Sequence, residues 1–465
     1  MVLSDLRQYV TLLESCNELT RLTVVTDPIL EIAAITDRIC KQPGGGQALF
    51  FEQTKGSAFP IATNLFGSLH RSALALGLEN LDQLTAKMAA LLEQLSDRDI
   101  HRMDLHIAAL EDFSRFAPVT TPPAWNVIME PPDLTLFPFL QSWPGDGAGS
   151  GNPRYITLPQ VFTANPDGGI PNCGMYRAQV TGPRELAIRW KAGSGATRHL
   201  DEFRRRGKSM PVAIALGGAP AALFSAMLPL PGDLDEMSFA GFLRGEPMEM
   251  AACRSIPLRV PASAEVVIEG YVNPSETCLE GPFGNHTGSY SPTGDAALMR
   301  VTSLSHRPDA VIPATVVGPP PMEDCWMAKS WERILLAFLR RLIPDVTDIH
   351  FPLEWIFHQS AIISLEKPNP GMVREIAVRL WDFPWFAEAR LLIFVDADDG
   401  IDQSQIAWHC INRAEFCHDT IQDSSGKRLA LDATGHRLSR RPLHPDPAIS
   451  LLVLQRWQEY GVSLK

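Results

Sequence analysis

The sequence is short of positive charge. Its 465 residues carry 41 Lys and Arg against 53 Asp and Glu, a formal net charge of −12. A sequence-independent grip on nucleic acid needs a basic face, so that class of partner is excluded. The densest basic run, Arg204–Lys208 (RRRGK), follows HLDEF and reads as the solvated end of a helix. Paired cysteines are absent too. None of the eight forms a C-x-x-C pair, and the nearest neighbours, Cys410 and Cys417, have a spacing foreign to zinc ribbons and fingers. All eight read as reduced, mostly buried thiols of a cytoplasmic protein. One stretch of more than 20 residues lacks charge, Met210–Gly232, but Gly217, Gly218, Pro220, Pro229 and Pro231 interrupt it. It reads as a buried strand over Val212–Leu216, a tight turn and a short helix, not a transmembrane segment. The opening MVLSDLRQYVTLLESC has apolar residues at helical spacing broken by Asp5, Arg7 and Glu14, which is an amphipathic helix and not a signal peptide. Internal repeats and low-complexity segments are also missing.

What is present is an ordinary globular composition, 45% apolar and 20% charged, with length for two or three domains. Residues 1–116 read as mostly helical, with strand-like ALFFEQ after the PGGG turn. Proline-rich APVTTPPAW (Ala117–Trp125) opens a second region, 117–305, in which strand signals dominate: RYITLPQVF, GMYRAQVT, LAIRW, VAIAL, RVPASAEVVIEGYV and LMRVTSLSH. Many short strands with few long helices predict a β-rich, barrel-like domain. Residues 306–440 alternate strands (AVIPATVV, SAIISLE, RLLIFVDADD) with helical runs, the βα pattern of a layered α/β domain. Residues 441–465 form a terminal amphipathic helix. The fold class is therefore α/β (α+β).

Three loops carry candidate chemistry. The glycine cluster Gly145–Gly151 leads into a strand, so it is neither a P-loop nor a dinucleotide fingerprint. VDADDG (Val395–Gly400) lacks the glutamate and spacing of a calcium loop and reads as carboxylates capping a helix from Ile401. EGPFGNHTG (Glu280–Gly288) sets a Glu, an Asn and a His on a loop shaped by Gly and Pro. It is either a site loop or a tight turn whose polar residues face water. Upstream, PNCGMYRAQV offers Asn172 and Arg177 in a strand pattern. An Arg there needs an anion if it is half buried, and is otherwise a surface residue.

Taken in order, NCGMYR, IRW, DEMSFAGFLRGEP, PASAEVVIEG, EGPFGNHTGSYSP, PPPMED (Pro319–Asp324) and LDAT resemble the UbiD family of reversible decarboxylases that use prenylated FMN, over roughly residues 5–460. The resemblance implies a small N-terminal α/β region, a split-barrel flavin-binding domain and a C-terminal α/β oligomerisation domain. It implies non-oxidative loss of CO2 from an aromatic, heteroaromatic or prenylated hydroxyaryl acid, the last a step of quinone biosynthesis, with the cofactor as electron sink. Arg177 would clamp the substrate carboxylate and be oriented by Glu280, itself a candidate proton donor. Met175, Tyr176, Arg177, Arg189, Trp190, Lys191, Ser194 and Gly195 would contact the flavin. Asn172 and Glu236 would hold its phosphate through Mn2+ or Mg2+, with K+ nearby. A flavin prenyltransferase would supply the cofactor, and the assembly would be a homodimer or homohexamer.

Two positions depart from the family pattern. Asn285 stands where many relatives have a carboxylate read as the proton donor, and an amide donates no proton at neutral pH. Glu280, His286 or water takes that role, or the substrate differs. Gly193 stands where relatives have a histidine, which leaves water or nearby His199 as third metal ligand, His199 reading otherwise as a helix cap. His286 reads as a structural residue bonded to backbone, with proton shuttling as the alternative. The competing function is a non-catalytic or carboxylating subunit of a multi-subunit aryl carboxylase. An ordinary FMN oxidoreductase finds no redox dyad to support it. Asn285 then supplies a test. If its amide hydrogen-bonds a polar substrate edge, Asn285→Asp brings an uncompensated charge into a partly dry pocket. The expected result is a lower kcat/KM on the natural acid; faster turnover would show that the position delivers the proton.

Overall fold

Residues Tyr155–Ile156 and Pro159–Thr163 are two strands joined by only Thr157 and Leu158. They stand near opposite ends of one eight-strand path: Tyr155–Ile156, Ala178–Gly182, Glu185–Ile188, Gly294–His306, Ala264–Glu280, Met210–Gly217, Pro159–Thr163, Asn172–Gly174. Three peptide steps reach about 10 Å at most. The sheet must therefore roll up until its ends meet, and the middle region is a split barrel of antiparallel strands. Its staves follow from sequence. Met210–Gly217 is apolar and buried at every position, so both its faces are covered. Gly217 and Gly218 end it with φ of 73° and 91°, a left-handed turn that other residues resist. Ala264–Glu280 is buried throughout its first half and alternates in its second, ending at the fully buried Glu280.

The computed structural model describes residues 2–96, 111–230, 234–366, 368–369, 371–383, 385–397, 403–435 and 445–461. Two further layers flank the barrel. An N-terminal sheet runs Leu19–Leu22, Ala48–Phe51, Ile61–Thr63, and is completed by Ile312–Ala314, which arrives only after the barrel is finished. The C-terminal sheet runs Val346–His350, Ser360–Leu365, Leu391–Asp396, Leu429–Asp432, Thr420–Gln422, with parallel pairing at its centre and helices Met372–Asp382 and Gln403–Arg413 between strands. This is the expected βα alternation. The 20-residue helix Glu323–Leu342 joins the layers.

Local differences from the sequence reading are instructive. GMYRAQVT is two strands, not one: pairing stops at Gly174 and resumes at Ala178, leaving Met175–Arg177 in the break. All eight cysteines are free, but four are buried and Cys16 and Cys417 are exposed. The expected cap from VDADDG onto Ile401 lies outside the described residues. The terminal helix, Pro447–Gln455, buries none of its residues against this chain. Among the described residues, no helix is long and apolar enough to cross a membrane.

The N-terminal layer hangs on Arg71, whose side chain has no exposed surface. It pairs with Glu18 at 2.9 Å and donates to the Gly46 carbonyl at 2.6 Å. Tyr9 Oη donates to the carbonyls of Leu65 and Arg71, and Glu323 accepts from Phe66 N. Arg71→Met removes the cation and strands Glu18. A loss of roughly 3 kcal/mol in denaturant unfolding is expected, as for one partner deleted from a buried pair; a loss below about 1 kcal/mol would place the layer's anchor elsewhere.

Candidate active site

Glu280 ends its strand with no surface exposed to solvent. A carboxylate so buried needs cationic partners, because desolvating an ion costs several kcal/mol. Two guanidinium groups supply them. Arg177 Nε donates to Oε1 at 2.7 Å and Nη2 to Oε2 at 3.0 Å, a planar two-point grip, while Arg189 Nε lies 3.2 Å from Oε2. Arg177 reaches it because the chain leaves strand geometry at Met175–Arg177. Its guanidinium also lies 4.7 Å from the Phe283 ring centroid. Among the described residues Nη1 makes no hydrogen bond, which leaves that edge of the fork for an anion.

Glycines make this packing possible. A Cβ on Gly294 would fall 1.9 Å from Arg189 Nη2, one on Gly281 would fall 2.5 Å from Gly147 Cα, and one on Gly284 would fall 2.0 Å from the Trp143 ring. The cluster Gly145–Gly151 thus buttresses the EGPFG loop. Asp146, a residue the sequence reading passed over, fastens the two together. It accepts from Ser142 N, Trp143 N and Gly284 N at 2.8–3.0 Å, and burial raises its pKa. Gln179, also buried, accepts from Gly281 N at 2.9 Å.

Arg177 faces a cavity of about 650 Å³. Asn172, Met175, Tyr176, Lys191, Ser194, Gly195, Glu236, Asn285 and His286 line it as well, so ten residues singled out from sequence meet in one place, counting Arg177. Three others do not. Glu280 sits behind Arg177. Arg189 and Trp190 line a neighbouring cavity of about 180 Å³, and Arg189 serves as the second brace of Glu280.

One corner of the large cavity suits an anion bridged to a cation. Ser194 caps the 11-residue helix Gly195–Arg205, presenting N–H groups and the positive end of its dipole. A Cβ on Gly195 would fall 1.9 Å from Asn172 Oδ1, so a side chain there would displace the Asn172 amide. Asn172 Nδ2 is buried without a partner. Glu236 accepts from Cys173 N at 3.0 Å, and burial pushes its carboxyl up to about 8, a group short of positive charge. The Asn172 Oδ1 and the Glu236 carboxylate are oxygens of the kind that ligate a hard cation, whereas the Asn172 Nδ2, an N–H donor, suits an anion's oxygen. Among the described residues no three His, Cys, Asp or Glu cluster as a metal site, so a cation here would use the Asn172 amide, water and ligand oxygens. His199 is not a helix cap. It lies inside the helix, with Nδ1 2.9 Å from Thr163 Oγ1, and burial lowers its pKa.

Asn285 and His286 line the same cavity. Asn285 spends its amide on its own loop, Oδ1 accepting from His286 N at 2.7 Å and Nδ2 donating to Ser291 Oγ at 3.3 Å. The His286 ring, expected to bond backbone, instead meets the His358 ring edge-on at 4.7 Å and Phe357 at 5.9 Å, both from the C-terminal layer. Burial, then His358, pushes its pKa down to about 4. Asp324 lines the same cavity from the start of the Glu323–Leu342 helix. Nothing in its local sequence, PPPMED, marks it as cavity-facing.

Family models match along nearly the whole chain. Residues 10–91, 118–320 and 325–441 match the N-terminal, Rift-related and C-terminal domains of 3-octaprenyl-4-hydroxybenzoate carboxy-lyase. An uncharacterized protein of Archaeoglobus fulgidus is 36% identical over 90% of this chain and 86% of its own. One of Aquifex aeolicus is 36% identical over 92% and 91%. Among solved structures, an evolved dimeric form of the UbiD-class enzyme HmfF from Pelotomaculum thermopropionicum, in complex with prFMN, superposes with a TM-score of 0.83 at 26% identity. It covers 98% of this chain and 100% of that one. The closed form of Sedimentibacter hydroxybenzoicus vanillic acid decarboxylase gives 0.82 at 23%, covering 100% of both, a likeness of fold.

Glu280→Gln removes the buried charge that two half-buried guanidinium groups share. The expected outcome is a stability loss of roughly 3 kcal/mol, read as a shift in denaturant midpoint at unchanged slope. A midpoint equal to the parent's would mean that solvent, not Glu280, neutralises Arg177.

Proposed function

Because the chain belongs to the UbiD family of carboxy-lyases, we propose that it removes CO2, non-oxidatively, from an aromatic or heteroaromatic carboxylic acid, with prenylated FMN as its cofactor. Prenylated hydroxyaryl acids of quinone biosynthesis fall within the same chemistry. The observation that carries the reading is Arg177, locked by Glu280 on one edge and open to the cavity on the other.

The residues present fit the cofactor. Met175, Tyr176, Lys191, Ser194 and Gly195 would contact the flavin. Asn172 and Glu236 would hold its phosphate through Mn2+ or Mg2+, with K+ nearby. The unpartnered Nδ2 donor of Asn172, suited to a phosphate oxygen, and the buried Glu236 carboxyl support that corner. Bound there, prenylated FMN supplies an electron sink that no side chain can offer to an sp² carbanion. The protein's part is positional. Arg177 takes the substrate carboxylate through Nη1, and Glu280 fixes the fork, so the guanidinium loses little freedom on binding. Phe283 and Phe357 line the cavity with apolar surface and displace water around the ring. A flavin prenyltransferase would supply the cofactor. A homodimer or homohexamer agrees with the unpartnered terminal helix.

The chain should be produced with a flavin prenyltransferase and tested for a modified-flavin mass and for CO2 release from benzoic, hydroxybenzoic and furoic acids. Arg177→Ala is expected to keep the flavin mass and lose at least 10²-fold in turnover, since it removes the clamp rather than the cofactor site. Near-parental turnover would sink the assignment. A loaded parent inert toward every acid would favour a non-catalytic or carboxylating subunit.

A further inference from the structure

Two carboxyl side chains line the large cavity among the described residues, Glu236 and Asp324. Glu236 belongs to the cation corner with Asn172. Asp324 belongs to nothing so far described. It is the second residue of the Glu323–Leu342 helix; its Oδ1 accepts from Cys325 N at 3.0 Å, and no cation pairs with it among the described residues. Its own helix adds Glu323, which turns away to Phe66 N, and Cys325. The other walls bring Arg177, Lys191, Arg198 and His286 to the same cavity. Burial pushes Asp324 up to about 6, so its acid form is full below that pH and drains away above it.

The alternatives for delivering a proton are poorly placed. Asn285 has none to give, and its amide is spent on its loop. Both Glu280 oxygens accept from guanidinium N–H groups. His286 is pushed down to about 4 and stays neutral at ordinary pH.

We propose that Asp324 is the proton donor to the carbon that has lost CO2, an assignment that rests on the decarboxylase reading above. The C–C bond to the carboxylate breaks, CO2 leaves, and the electron pair stays on the substrate side. The Asp324 O–H bond then breaks as the new C–H bond forms. The resulting carboxylate regains a proton from water entering the cavity. No oxidant or reductant is consumed.

Asp324→Asn, and Asp324→Ser as a second variant, separate this from a structural role. In the loaded enzyme, both are expected to release about one CO2 per site in a rapid burst and then turn over at least 10²-fold more slowly than the parent. Exchange of the product's ring hydrogen in D2O should fall by the same factor. Burst and turnover lost together, or turnover unchanged, would overturn the proposal. A second readout needs neither cofactor nor substrate. The infrared difference between cofactor-free parent and Asp324→Asn is expected to show a protonated-carboxyl C=O stretch that disappears as pH rises through about 6; no such band would also overturn it. A parent that frees CO2 from none of the acids, with that band present, would instead bring down the decarboxylase reading and this proposal with it.

Discussion

A carboxylate with no water around it fixes the architecture of this site. Glu280 is affordable only because two guanidinium groups meet it from different strand ends, one of them in two-point contact. That requirement propagates outward. Arg177 must leave the strand ladder to reach it. Arg189 needs Gly294 bare. The chain after Glu280 must turn at once, and it does so over Gly281 and Gly284, each in contact with backbone or ring that a side chain would strike. Asp146 then ties the two glycine loops through three backbone N–H groups. The outcome is one guanidinium whose direction is set by its surroundings before any ligand arrives.

Much of this was legible in the sequence wherever the signal was local. The charge-free Met210–Leu216 run, its Gly217–Gly218 turn and the βα alternation after residue 306 follow from burial and backbone preference alone, and the structure has them. Ten candidate site residues, drawn from a family resemblance, line one cavity. What escaped was long-range. Arg177 read as a strand residue, because GMYRAQVT alternates well enough to hide a break whose cause is Glu280, 103 residues away. Ile312–Ala314 read as the start of a C-terminal alternation, yet it pairs with Ile61–Thr63. His199 read as a third metal ligand or otherwise as a helix cap; the cap is Ser194, and the ring turns to Thr163. Asp146 and Asp324 gave no local signal, since burial by distant segments is what makes either of them notable.

Burial sets the charge state of the groups around the cavity. It raises Glu236 to about 8 and Asp324 up to about 6, and drives His286 down to about 4, so each is biased toward its neutral form. The start of the Gly195–Arg205 helix brings N–H groups to the same space, and Asn172 Nδ2 adds an N–H donor. Arg177 stands among them with a fixed charge. Its salt-bridge partner among the described residues is Glu280, which it shares with Arg189.

The contacts between the C-terminal layer and the barrel are built on different terms. Where the C-terminal layer meets the barrel, Lys191 pairs with Glu388 at 2.6 Å, but both side chains are more than half exposed. Such a pair contributes about 0–1 kcal/mol and weakens with salt. Trp385 Nε1 donates to the Pro229 carbonyl at 2.8 Å, a single bond at an exposed position. His286 and His358 add one edge-on ring contact. Each of these is small beside the several kcal/mol at stake in the Glu280 cluster. Stability is thus concentrated where a guanidinium must not move, and is slight where the C-terminal layer meets the barrel. Tightening those outer contacts would add little to the orientation of Arg177, which is already complete within the barrel.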